Sequence, residues 1–193
     1  LSQGFYNLPW YDSIGVGVNV DEMHIGRSKK DFFDLPVWVN RDILAPTIDS
    51  SLIDQTKIKL GINKTDFVIG MFARMEKFKE PFLDFIFRLL LKDKRLKVLL
   101  AGPNDQNLVN TKLKRFIDEG RAIILGSVDV NLFGHCIDIG VDTFPIHSGY
   151  SVLELMAKNI PVISKKDKLL GDLIINRLPD TLKSNENELE SLL

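Results

Sequence analysis

The chain has 193 residues, 45% of them hydrophobic, with 25 lysines and arginines against 26 acidic residues and a formal net charge of −1. Such a length and apolar share fit one ordinary domain with some additional chain. The charge balance excludes a global pull toward nucleic acid or an anionic membrane, so any anion site must be local. A lone cysteine, Cys136, excludes an internal disulfide, builds no metal cage by itself and fits a reducing, cytoplasmic compartment. No apolar run approaches the roughly 20 residues of a transmembrane helix.

Residues 1–55 read as an irregular segment that mixes aromatics, Pro9, Pro36 and Pro46 with the charge cluster "GRSKKD". "IGVGVNV" at 14–20 carries a G-x-G spacing. Val20 stands where a dinucleotide fingerprint needs its third glycine, and no helix pattern follows, so a strand or turn is expected. The start, "LSQGFYNLPWYDS", has neither an initiator methionine nor a signal-peptide pattern. The end, "ENELESLL", reads as an interrupted helix. The sequence is therefore expected to be a piece of a longer protein.

From residue 56 onward the pattern is regular. "DFVIGMF" (66–72) is a strand-sized apolar run. Residues 81–93 open with Pro81, suited to a first helical turn, and repeat apolar residues at Phe82, Phe85, Ile86 and Leu89, the helical spacing. "KVLLAG" (97–102) predicts a second strand, 107–120 a helix ending at Gly120, and "AIILG" (122–126) a third strand. A brief helix near "NLFGHC" precedes a fourth strand at 137–143. A helix over 150–158, a fifth strand in "PVIS" (161–164) and a helical pattern over 168–176 complete the series. Strands that read as continuous apolar runs and alternate with helices predict an α/β domain, a doubly wound parallel sheet. In such sheets ligands sit beyond the carboxyl ends of strands.

The loops after the strands therefore hold the candidates. In "ARMEKFKEP", Arg74, Lys77 and Lys79 lie between the first strand and a helix N-terminus. Cationic side chains and amides there suit phosphate oxygens, although loop lysines are most often simply solvated. In "HSGYSVLE", Gly149 lets backbone approach a ligand and the following helix turn offers free N–H groups. Ser151 and Glu154 have the spacing of a capping box, so Glu154 either caps the helix or holds hydroxyls at its mouth. Of the three histidines, His24, His135 and His147, none has metal-ligand spacing. His135 reads as structural, and His147 stands in the candidate loop. There is no nucleophile elbow, P-loop or D-x-D pair.

The order of "FVIGMFARMEKFKEP", "KVLLAG", "AIILG" and "VDTFPIHSGYSVLELMAKNIPVIS" resembles the C-terminal, donor-binding half of GT-B glycosyltransferases, over residues of about 58–176. The last block carries the resemblance most specifically. It implies a Rossmann-like donor-binding domain over 56–193, with 1–55 as the tail of a missing N-terminal domain plus linker. It also implies a glycosyltransferase that takes a nucleoside-diphosphate sugar, UDP-linked by family frequency, and passes the sugar to a glycan, lipid or protein acceptor. By that resemblance Arg74, Lys79, Ser148, Gly149, Tyr150 and Ser151 would hold the diphosphate. Glu154 would hold the ribose, and Gly126, Ser127 and Val128 would face the base; His147 and Ser148 depart from the family's pattern, and His147 is a candidate sugar contact from its place in the loop. No metal and no cofactor are implied, and the location would be cytoplasmic or peripheral to a membrane. Retaining members carry a second glutamate eight residues before Glu154, where this chain has Ile146. The turn is closer to that of the inverting, O-GlcNAc transferase-like and bacterial protein N-glucosylating group, and stereochemistry stays open. A non-catalytic nucleotide-binding module and a GT-B-type sugar-nucleotide epimerase are the alternatives.

Overall fold

A computed structural model of the chain describes residues 41–165, 182–183 and 186. The G-x-G stretch at 14–20 and the helical pattern at 168–176 lie outside the described residues. The apolar runs become β1 (Phe67–Phe72), β2 (Leu96–Ala101), β3 (Ala122–Leu125), β4 (Ile139–Val141) and β5 (Val162–Lys165), with a two-residue β6 (Leu182–Lys183). Between them stand α3 (Glu80–Lys92), α4 (Asn107–Asp118), α5 (Val130–Phe133) and α6 (Tyr150–Ala157). Ahead of the sheet lie α1 (Arg41–Leu44) and α2 (Ser50–Lys59).

All described strand pairs are parallel, in the order β3-β2-β1-β4-β5-β6. β1 pairs with β2 from Phe67↔Leu96 to Phe72↔Ala101, and with β4 through Ile69↔Ile139 and Gly70↔Gly140. From β1 the chain winds outward through β2 to β3. It then returns to the other side of β1 and winds outward again. The strand order reverses between β1 and β4, which is where a crevice opens beyond the carboxyl ends of a doubly wound sheet.

The helices follow from their sequences. α3 buries Phe82, Leu83, Phe85, Ile86, Leu89 and Leu90 along one stripe, with Pro81 in its first turn. α4 ends as expected at Gly120. There the amide of Gly120 donates to Ile117 O (2.9 Å) and that of Arg121 to Phe116 O (2.7 Å), a Schellman closure. α2 is a departure. It begins inside the segment read as irregular and crosses the division placed after residue 55. Its sequence, "SSLIDQTKIK", lacks an apolar stripe, with Leu52 and Ile58 exposed and Thr56 buried. What starts it is local: the Asp49 carboxylate accepts from Ser51 N at 2.9 Å, an N-cap. The segment before it is tied down by a distant side chain. Buried Lys158, just past α6, donates through Nζ to Leu44 O and to Glu154 O.

Two contacts fix the loops that border the crevice. Phe144, after β4, packs edge-on against Phe82 and Phe85 of α3, with ring centroids 5.6 and 5.7 Å apart. Gly102, after β2, lies flat against the backbone after β1, and a Cβ there would sit 1.8 Å from Ala73 O. No rotamer change relieves a clash with backbone. Gly102→Ala is therefore expected to destabilise the chain by about 3 kcal/mol, the upper range for overpacking. A lower urea midpoint at unchanged m-value would show it; an unchanged midpoint would mean that the two loops separate freely.

Candidate functional site

The loop after β1 turns through a short 3-10 turn, Met75–Lys77. Met75 and Phe78 drop into the core, and Met75 N donates to Pro103 O at 3.0 Å. That anchoring leaves Arg74 and Glu76 outside. The Arg74 guanidinium stands 3.2 Å from the Glu76 carboxylate, which also accepts from Asn104 Nδ2 at 2.6 Å. Both side chains of the ion pair are about half exposed, so the pair contributes little and its cation is open to competition from another anion. Lys79 is half-buried at the N-cap of α3, and its side chain makes no hydrogen bond or ion pair among the described residues.

Lys77 points inward. Its side chain is buried, and Nζ donates to the carbonyls of His147 (2.8 Å) and Ser148 (3.2 Å) in the loop after β4. Burial pulls its pKa down and Arg74 adds to that, while Asp142 and Glu76 offset part of the effect. The two loops flanking the strand reversal are thus joined by one ammonium.

The loop after β4 is organised by Asp142, which is 1% exposed. Its carboxylate accepts from Ser148 N (2.9 Å), Ser164 Oγ (3.0 Å) and Ser148 Oγ, and lies 2.5 Å from His147 Nδ1. Burial alone would push the Asp142 pKa up; the bonds from His147 and Ser148 outweigh it and hold the carboxyl below its ordinary value. The His147 ring is buried with it, and its Nε2 has no partner among the described residues. Contact of that nitrogen with a sugar, as the sequence pattern suggested, would require the loop to open.

After Ser148 the chain enters α6 through Gly149, with φ +70° and ψ −110°, a region open to glycine. The expectation of a capping box fails here. Gly149 is the N-cap, no side chain caps the helix, and Ser151 already lies in the first turn. The left-handed turn starts the helix two residues earlier than the S-x-x-E pattern requires. The consequence is twofold. The amides of Gly149, Tyr150 and Ser151 make no hydrogen bond among the described residues. The Glu154 carboxylate, released from capping, is half-buried and equally without a hydrogen-bond partner among them. Burial pushes its pKa up, and Lys158 only partly compensates.

Through Lys77 the loop that carries Arg74 and Lys79 adjoins the loop of Ser148 and Gly149, which leads into the helix of Tyr150, Ser151 and Glu154. Gly126, Ser127 and Val128 follow β3, the sheet's edge strand, and are separated from β1 by β2. Gly126 and Ser127 are exposed. Among the described residues no three His, Cys, Asp or Glu side chains converge to hold a metal ion, and no helix is long and apolar enough to cross a membrane. Asp142 and Ser164 escaped the sequence reading. A carboxylate ending the apolar run "IDIGVD" was the available signal, since it must be satisfied where it is buried.

No protein-family model and no curated protein matches the chain. Solved structures do. A glycosyltransferase from Rickettsia africae superposes with a TM-score of 0.73 at 18% identity, over 96% of this chain and 56% of its own. The fold is that of the GT-B glycosyltransferases. Anabaena HepE, solved with UDP and glucose, shares the GT-B fold at a TM-score of 0.69 and 17% identity, over 88% of this chain and 48% of its own. WaaG, a glycosyltransferase of lipopolysaccharide biosynthesis, does so at 0.70 and 12%, over 92% and 51%. The chain therefore spans about half the length of these GT-B structures.

The two carboxylates lead to opposite expectations for stability. Asp142→Ala would strand Ser148 N–H, Ser164 and the His147 ring, and is expected to cost about 3 kcal/mol or more. Chemical denaturation measures this. Glu154→Gln should do the reverse. A carboxyl whose folded pKa is raised takes up protons on folding, so stability falls as pH rises from the ordinary glutamate range through the raised value. The glutamine variant should therefore melt above the parent at neutral pH and lose the slope that sets in as pH rises out of the ordinary glutamate range. Equal melting temperatures throughout would mean that Glu154 is well solvated.

Proposed function

We propose that this chain is the donor-binding part of a glycosyltransferase that takes a nucleoside-diphosphate sugar, UDP-linked by preference. One observation carries the reading. Beside the strand reversal, a half-buried carboxylate without a protein partner among the described residues stands just over one helical turn behind three unpaired amides. Burying a charge with nothing to satisfy it destabilises a protein, and a vicinal diol would satisfy it with two donors. Those amides would donate to the neighbouring phosphates, and the positive end of the helix would attract them.

In this reading Glu154 holds the ribose hydroxyls, and Gly149, Tyr150 and Ser151 meet the diphosphate through backbone N–H groups. Arg74 and Lys79 close on it from the loop after β1, with Arg74 exchanging Glu76 for phosphate. Gly126 to Val128 would face the base, as an extension of the site along the carboxyl edge of the sheet. When the bond from sugar to diphosphate breaks, negative charge grows on the leaving phosphate oxygen. Fixed amides and two cations offset it without a metal, each such donor contributing roughly 3 kcal/mol by the scale of oxyanion-hole losses. Support for UDP comes from structural neighbours, since HepE was solved with UDP and with UDP-glucose. The acceptor site and the second Rossmann domain would belong to protein beyond this chain, which covers about half of its neighbours' length.

Calorimetric titration with UDP and with uridine separates the roles. Glu154→Ala is expected to weaken both ligands about ten-fold, the loss of a charge-assisted hydrogen-bond pair. Lys79→Ala should weaken UDP by a similar factor and leave uridine unchanged. Unaltered uridine affinity in the first variant would remove the ribose assignment; parallel losses in the second would remove the phosphate assignment.

A further inference from the structure

Lys77 takes no part in the diphosphate contacts proposed above, yet its side chain is buried between the two loops that border the crevice. A buried ammonium with no carboxylate in contact costs free energy to hold; among the described residues Lys77 has none, and it is held by two consecutive peptide carbonyls of another loop. We propose that Lys77 is a positioning residue: it locks the loop after β4 to the loop after β1 and aims the Gly149 amide outward for a diphosphate. The inference rests on the donor-binding reading and adds to it a residue that acts without touching the ligand.

The geometry comes from peptide planarity. In a trans peptide the carbonyl of one residue and the N–H of the next point in opposite directions. With Ser148 O turned toward Lys77 Nζ, the amide of Gly149 faces away from the buried ammonium, and it carries no bond among the described residues. With His147 O on the same ammonium, the Ser148 amide is directed to Asp142 Oδ1, at 2.9 Å. Lys77 and Asp142 thus grip the two sides of the His147–Ser148 peptide, and Lys77 alone holds the carbonyl of the next. Their opposite charges do so without a direct ion pair, and the loop between them has no freedom to turn its carbonyls toward an incoming phosphate. A carbonyl presented there would repel the ligand, whereas an amide attracts it. Arg74 and Lys79 flank Lys77 in sequence, so the same lock fixes both sides of the diphosphate cradle relative to each other.

The test uses Lys77→Met, which keeps the aliphatic stem and removes the donors, and Lys77→Arg, which keeps donors and charge. Without ligand, amide exchange at Ser148 and Val152 is read by NMR. It should accelerate at least about ten-fold in the Met variant and stay near the parent rate in the Arg variant. By calorimetry, UDP affinity should fall about ten-fold in the Met variant while uridine affinity holds. If exchange is unchanged while UDP is lost, Lys77 touches the phosphate itself and the positioning role is overturned. Unchanged exchange with unchanged UDP affinity overturns it as well. A parent chain that binds UDP no better than uridine overturns the diphosphate reading, and the positioning role falls with it; the exchange rates then still report whether the lock holds the loop. If the Met variant does not fold, the Arg variant decides: accelerated exchange at Ser148 despite retained donors and charge would overturn the lock.

Discussion

The site depends on one carboxylate. Asp142 follows β4 inside the protein, where an unsatisfied charge would be untenable. Groups five and six residues further along the chain satisfy it: the His147 ring, the Ser148 amide and the Ser148 hydroxyl. Ser164 of β5 adds a bond from the neighbouring strand. The loop is thereby folded back over its own strand end. Everything proposed for ligand binding, from the Gly149 turn to the start of α6, hangs on that return. Low local dielectric makes such a network strong when complete and costly when broken.

Topology supplies the rest of the arrangement. Because the strand order reverses between β1 and β4, the loops leaving those strands diverge to opposite faces and open a crevice between them. Phe144 fastens one loop to α3, while Met75 and Phe78 fasten the other to the core. The polar groups are therefore held by apolar anchors on each side, and Lys77 crosses between them. The outward groups, Arg74 and Lys79, are left comparatively unconstrained. A rigid amide surface facing adaptable cations suits a ligand that must both enter and leave.

The fold was legible in the sequence to the extent that burial dictates residue type. β1 and β2 are buried on both faces of a parallel sheet, so "FVIGMF" and "KVLLA" could hardly be anything but apolar runs, and the half-buried edge strand "AIIL" packs against the same core. The α3 stripe and the Gly120 stop were equally plain. α2 was not, because it lies beside α5 and the turn at 134–136 with no apolar stripe, and its one strong signal, Asp49 as a cap, is shared with many turns. The site was legible in part. Lys77 reads as a solvated loop lysine because nothing in "ARMEKFK" states that its neighbours Met75 and Phe78 carry it inward. The S-x-x-E pattern at 151–154 pointed to a cap because spacing alone ignores the backbone. The left-handed Gly149 moves the helix start and leaves the glutamate unemployed.

The clasp made by Lys158 bears on how this domain can be handled as an isolated object. Its ammonium is shared between the end of α1 and the Glu154 carbonyl, so the stretch ahead of the sheet is structurally continuous with the helix that carries the glutamate. Trimming the chain to begin at α2, a natural choice for anyone seeking a minimal version, would take away one of the two oxygens that satisfy an enclosed cation. The shortest useful version of this protein therefore begins upstream of Leu44.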